Sequence, residues 1–324
     1  MPAVYPITFK ARPLKQVTQN QEVYVAPFPF KVTWDITHKC NLRCSHCFVI
    51  FQENIDSSPN ERSHHLKIAR SIAAAEPFVV SIAGGEPFVV PHLIEIVEIL
   101  RQSVPQIVIA TNGTILKKSQ LEQLAKLGGV SLQVSLDGSS AIEHDSIRGF
   151  GSYAKTLAFL YAIPTSLPTV IATTLTETVS NSLSELLELA VNLNVQAIKL
   201  QQFVITASVP NRFLAPSPAS VKVASEFVAK YLMNKNSGPM LLHPFGELHE
   251  GIGNFINTDN ASAGVGLREC TITPKGNLVL CGAVLDDCDA HGNLTQQPLS
   301  ELWLEMTRRR ASVSGLLGHC LCNS

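Results

Sequence analysis

From residue 31 to about residue 234 the chain repeats one alternation six times: a short, nearly continuous apolar run, then a longer segment with apolar residues at helical spacing. Lys31–Thr37, Phe78–Ala83, Gln106–Thr111, Val130–Leu136, Thr169–Leu175 and Ala197–Phe203 read as strands. The helical patterns cover His65–Ala75, His92–Gln102, Gln120–Leu127, Tyr153–Ala162, Leu183–Asn192 and Ser220–Met233. Two helix starts carry the S-x-x-E capping box, Ser119 with Glu122 and Ser182 with Glu185. A third is Ser217 followed by Pro218. Runs such as FVVSIA and QIVIAT suit a parallel sheet covered on its faces. Six units predict an α/β fold, a partial (β/α)6 TIM-like barrel rather than a complete eight-unit one.

Barrels of this kind build their sites from loops at the C-terminal ends of the strands. The residues richest in chemistry fall there. Cys40, Cys44 and Cys47, in ITHKCNLRCSHCF, follow the first strand with C-x3-C-x2-C spacing. A cubane iron–sulfur cluster held by three thiolates keeps one iron free to bind a reactant. A zinc site completed by His46 or a distant residue is a competing reading, as are three unrelated core thiols. One βα unit later SIAGGEP ends the second strand with Gly84, Gly85, Glu86 and Pro87. Two glycines let backbone approach a ligand that any Cβ would obstruct. The third and fourth strands end in Asn112-Gly113 and Ser135-Leu136-Asp137-Gly138. Each alone is also an ordinary glycine turn. On one rim, though, Asn112, Ser135 and Asp137 supply short polar side chains suited to ribose hydroxyls.

The cysteine motif and GGEP together resemble those of the radical S-adenosylmethionine (radical SAM) enzymes. The resemblance implies a [4Fe-4S] cluster on Cys40, Cys44 and Cys47 whose open iron chelates the amino and carboxylate groups of S-adenosylmethionine. It puts His46 near the adenine and Gly84, Gly85 and Glu86 around the ammonium group. It puts Ser135 and Asp137 at the ribose or methionyl part. Arg148, in HDSIRG, pairs with the cofactor carboxylate or forms a structural salt bridge, and Gln201 or Gln202 approaches the adenine.

Five further cysteines lie near the end of the chain: Cys270, Cys281, Cys288, Cys320 and Cys322. ECTITPKGNLVLC reads as a β-hairpin with one thiol on each arm. With Gly292-Asn293 and the LSELW run containing Trp303, it resembles the auxiliary-cluster extension called SPASM/twitch. That implies a small C-terminal β-hairpin/helix iron–sulfur domain with one auxiliary [4Fe-4S] cluster on Cys270, Cys281, Cys320 and Cys322. Cys288 is an alternative ligand, a spectator, or a catalytic hydrogen-atom donor. A zinc ribbon would use the same cysteines. The expected organisation is an N-terminal extension (1–30), a barrel (31–235), a linker or substrate-facing segment (236–269) and the auxiliary domain (270–324).

Composition bounds the partners. The 324 residues are 45% hydrophobic and 16% charged with net charge −1, a globular chain. Arg308, Arg309 and Arg310 end a helix-like stretch, where cations suit the dipole. No basic footprint argues for nucleic acid. No secretory signal precedes the first strand, and no apolar stretch approaches the ~20 residues that span a membrane. Eight cysteines without a signal argue for metal in a reducing cytoplasm. The resemblance implies an enzyme that reductively cleaves S-adenosylmethionine to mature a ribosomally made precursor peptide, by epimerisation, crosslinking or backbone excision. Its implied partners are that peptide, a separate leader-recognition protein and an electron donor such as flavodoxin or ferredoxin. A small-molecule radical SAM reaction on a tetrapyrrole or cofactor is the alternative, and a non-catalytic zinc-binding interaction protein the alternative of another class.

Overall fold

The computed structural model describes residues 12–13, 24–25, 27–47, 49, 59–204, 212–234, 238–242, 268–280 and 290–312. Two short strands, β1 (Arg12–Pro13) and β2 (Tyr24–Val25), pair antiparallel. The six expected strands follow as β3 (Lys31–Thr37), β4 (Val79–Gly84), β5 (Gln106–Thr111), β6 (Val130–Ser135), β7 (Thr169–Thr174) and β8 (Ala197–Gln201). They lie side by side in chain order, all parallel. Two more parallel strands extend this core: β9 (Met240–Leu242) beside β8, and β10 (Glu269–Ile272) beside β3. The hairpin partner β11 (Leu278–Val279) completes a nine-stranded sheet. Thus the expected hairpin forms, but its first arm is also a strand of the barrel sheet.

The two faces of that sheet differ sharply. Val32, Trp34, Val80, Ile82, Ile107, Ile109, Leu132 and Val134 alternate onto one face and are fully buried. Burying each such side chain stabilises the fold by roughly 1.5–3 kcal/mol. They pack on α1 (Arg62–Ala74), α2 (Leu93–Leu100), α3 (Lys118–Leu127), α5 (Ser152–Ala162), α7 (Leu183–Asn192) and α8 (Pro218–Met233). The opposite, inner face carries Thr33, Ser81, Val108, Gln133, Ser135, Thr174, Lys199 and Gln201, small or polar and only half-buried. A one-residue slip would exchange these two sets, so the register is strongly specified.

Helix ends depart from expectation where local signals lose to packing. Ser119 lies inside α3, whose start at Lys117 has no side-chain cap. Ser182 precedes α7, but its hydroxyl donates to Thr178 O (3.4 Å) rather than capping. Ser217 does cap α8, accepting from Ser220 N (3.2 Å), with Pro218 at the first position. Two helices had no sequence expectation: α4 (Ala141–Arg148) and the short α6 (Glu177–Ser180). The first matters, because it carries Arg148 back to the strand ends. At the C-terminus α9 (Leu299–Ser312) buries Trp303 and meets α1, where Leu299 N donates to Ser71 Oγ (3.2 Å). Among the described residues no helix is long and apolar enough to cross a membrane.

Candidate active site

The loop after β3 is anchored at three places. Gly85 N donates to Thr37 O (2.6 Å) and Glu86 N to Lys39 O (2.9 Å), fixing it to the end of β4. Asn112, just past β5, donates through Nδ2 to Asn41 Oδ1 (3.0 Å) and approaches Cys40 Sγ (3.7 Å). Ser45 N donates to Ile147 O (2.8 Å) on α4. Within the loop, Leu42 N donates to Cys40 Sγ (3.4 Å) and Cys47 N to Cys44 O (3.1 Å). Three free thiols are therefore held at one end of the barrel, Cys44 buried and the other two half-buried.

The glycines of GGEP meet backbone of the cysteine loop. A Cβ on Gly84 would stand 2.3 Å from Thr37 O, and one on Gly85 would stand 2.2 Å from Lys39 O. Their missing side chains let β4 lie against the cysteine loop itself. Glu86 is fully buried, and three protein donors use its oxygens: Phe88 N (3.0 Å), Thr111 Oγ1 (2.8 Å) and Asn112 N (2.7 Å). Burial pushes its pKa up against those hydrogen bonds. Glu86 thus ties the ends of β4 and β5 together.

Arg148 and Asp137 form a buried salt bridge. Arg148 Nε donates to Asp137 Oδ2 at 2.6 Å, with both groups buried. Thr174 N reaches Asp137 Oδ1 (2.8 Å), and His46 Nε2 lies 3.4 Å from Oδ2. Burial pushes the Asp137 carboxyl up, but the Arg148 guanidinium and His46 outweigh it and hold the pKa below the ordinary range. Arg148 Nη1 also comes within 4.0 Å of Cys44 Sγ. Burial pushes the Cys44 thiol up to about 12 despite that cation, and a bound metal's charge would favour the thiolate. His46 is pushed down to about 4 by burial, as is His144, whose Nδ1 accepts from Asp137 N (3.1 Å).

The remaining candidates separate. Ser135 and Gln201 sit on the inner face at the ends of β6 and β8. Cys270 is on β10 opposite Val32, facing the helix-covered side inside the apolar core. Burial pushes its thiol pKa up strongly. Cys281, Cys288, Cys320 and Cys322 lie outside the described residues. Sequence reading missed Asp35, a buried carboxyl on the inner face of β3, although the polar-apolar alternation of KVTWDIT signals it.

The donor set fits an iron–sulfur cluster. Among the described residues no three Cys, His, Asp or Glu side chains converge as ligands of one metal ion do. A cubane asks less of them, since each thiolate binds its own iron. His46, the zinc reading's nearby fourth ligand, has Nε2 3.4 Å from Asp137 Oδ2, which leaves Nδ1 as its only nitrogen for a metal. His46 Nδ1 and His144 Nε2 are buried and bond to nothing among the described residues. Polar atoms in that state ordinarily have bound partners, which suits a polar cofactor beside the cysteines.

Residues 34–190 match the model of the Radical SAM superfamily. It is 31% identical over 134 residues to an AdoMet-dependent heme synthase of Methanosarcina barkeri, covering 40% of this chain and 38% of the relative. It is 33% identical over 137 residues to the antilisterial bacteriocin subtilosin biosynthesis protein AlbA of Bacillus subtilis, covering 40% of this chain and 29% of the relative. Both matches thus span well under half of the relatives' lengths. The fold resembles Streptococcus suis SuiB bound to its precursor peptide SuiA, with TM-score 0.71 and 16% identity over 86% of this chain and 65% of that one.

Proposed function

We propose that this chain is a radical SAM enzyme that modifies a precursor peptide. The observation that carries the reading is the cysteine loop, bound to β4, β5 and α4 directly above an inner face left polar and half-buried. Cys40, Cys44 and Cys47 would hold a [4Fe-4S] cluster, with Glu86 and the inner-face residues Ser135 and Gln201 turned to S-adenosylmethionine. The bound pair supplies a 5′-deoxyadenosyl radical able to take a hydrogen atom from carbon. The chain's own task is aim. A substrate carbon must be held within about 3–3.5 Å of the radical centre, so the rim fixes the nucleotide and the barrel walls keep water away. The Arg148–Asp137 pair keeps its charge internal and braces α4 against the cysteine loop.

Peptide chemistry is supported by AlbA, named for bacteriocin biosynthesis, and by the fold shared with a SuiB structure that holds a precursor peptide. The heme synthase relative favours the second reading, a tetrapyrrole substrate. For the C-terminal segment 270–324 we favour an auxiliary cluster on Cys281, Cys320 and Cys322 with Cys288 as fourth ligand. Cys270 packs among core residues and is better spent there. A separate leader-recognition protein, a flavodoxin or ferredoxin donor and a cytoplasmic location complete the proposal.

Anaerobic reconstitution tests it. Wild type should release 5′-deoxyadenosine when reduced with S-adenosylmethionine, and Cys40→Ala, Cys44→Ala and Cys47→Ala should each abolish release. Cleavage that persists in these variants, or zinc without sulfide in the wild type, defeats the reading. Tight binding of a precursor peptide encoded beside the gene, with weaker binding of its leaderless fragment, separates a peptide from a tetrapyrrole substrate.

A further inference from the structure

The inner face of the sheet holds one ionisable group that the site above leaves unused. Asp35 is 7% exposed and projects from β3 on the side of Thr33, opposite Trp34 and Ile36. Its register neighbour on β4 is Ala83, and farther along the sheet Ala110 pairs with Gln133; on its other side runs β10, where Ile272 pairs with Trp34 and the next residue is Thr273, so these neighbours are all uncharged. The other charged side chains of this face are engaged. Lys31 Nζ pairs with Glu269 Oε2 (2.9 Å), and Lys199 Nζ donates to Gln133 Oε1 (3.3 Å). Among the described residues no donor or cation reaches the Asp35 carboxyl. Burial alone pushes its pKa up to about 7. A buried carboxyl without a partner destabilises a fold. Internal stability therefore gives no reason for Asp here, whereas a donor carried by a bound molecule does.

The geometry points to Asp35 as a substrate-positioning residue, whose carboxylate accepts a hydrogen bond from a nitrogen-borne N–H of the substrate inside the barrel. The inference deepens the peptide reading and rests on it. Asp35 lies five residues before Cys40 on the strand that feeds the cysteine loop, so a group bound there is held beneath the rim. Two sources supply such an N–H, a charged side chain (ammonium or guanidinium) and a peptide amide. An ionised carboxylate is acceptor-only, while the neutral acid both donates and accepts. A cationic donor thus binds the ionised form, and an amide pairs with either form.

Infrared difference spectroscopy on the reconstituted protein separates the cases. Aspartate is labelled with 13C at the carboxyl carbon, and the Asp35→Asn spectrum is subtracted to isolate the Asp35 C=O band. That band should titrate near pH 7. Methylammonium should lower the midpoint by about one unit, as a nearby opposite charge does, if the source is a charged side chain. N-methylacetamide should shift the band itself if the source is a backbone amide. Tetramethylammonium, a cation without N–H, should do neither. A midpoint in the ordinary carboxylate range, a band indifferent to both N–H probes, or an equal response to tetramethylammonium would overturn the inference. These readings need no turnover. Absent cofactor cleavage would sink the enzyme reading and leave them standing, while an indifferent Asp35 sinks only this proposal.

Discussion

Asp35→Asn should make the protein more stable at pH 8 and leave its stability nearly unchanged at pH 4. Burial moves this carboxyl from 3.8 to about 7, a shift of about three units. At 1.36 kcal/mol per unit, that amounts to at most about 4 kcal/mol. The direction follows from proton counting. Between those two values the folded chain keeps a proton that the unfolded chain has released. Wild-type stability therefore falls as pH rises through this window and reaches its full penalty above about pH 7. Asn does not titrate. Its unpartnered amide costs about as much as the equally unpartnered neutral acid, so the substitution removes the slope and little else. The variant should gain up to about 4 kcal/mol at pH 8 and differ little from wild type at pH 4. Anaerobic urea unfolding of both proteins, equally loaded with iron, at several pH values measures the difference. A stability difference that stays flat with pH would refute the reasoning, because the carboxyl would then be solvated or paired.

Gly85→Ala should push the cysteine loop off β4, since its Cβ would meet Lys39 O at 2.2 Å and backbone there has little freedom to yield; bound iron per chain should drop well below wild type on reconstitution. Arg148→Met leaves the Asp137 carboxylate buried without its cation and should destabilise by about 3–5 kcal/mol, measured by urea unfolding; a loss under 1 kcal/mol would show the pair to be solvated. Cys270→Ser places a hydroxyl in the core and should cost about 1–3 kcal/mol with iron content unchanged; loss of about four irons per chain would instead make Cys270 a ligand.

Much of the barrel was legible before any coordinates. Lys31–Thr37, Gln106–Thr111 and Leu183–Asn192 fall where periodicity put them, because buried runs bounded by turns leave little choice of element. Capping signals transferred less well. Ser217 caps, while Ser119 is overridden by a helix that begins earlier. Helix α4 escaped notice because AIEHDSIR lacks a broad apolar face; the loop contacts of Ile147 and Arg148 hold it at the rim.

The local order of residues settled the strand-and-helix alternation and the place of the cysteines beyond β3. Each follows from periodicity or from chain neighbours. Only the assembled sheet decided which partners the polar groups found. Glu86 spends three acceptor positions on β4 and β5, Arg148 closes on Asp137, the glycines of GGEP admit backbone, and Cys270 turns into the core. Such pairings depend on distances across strands far apart in the chain. A motif names the groups present at a rim, and tertiary packing determines which of them find partners within the protein.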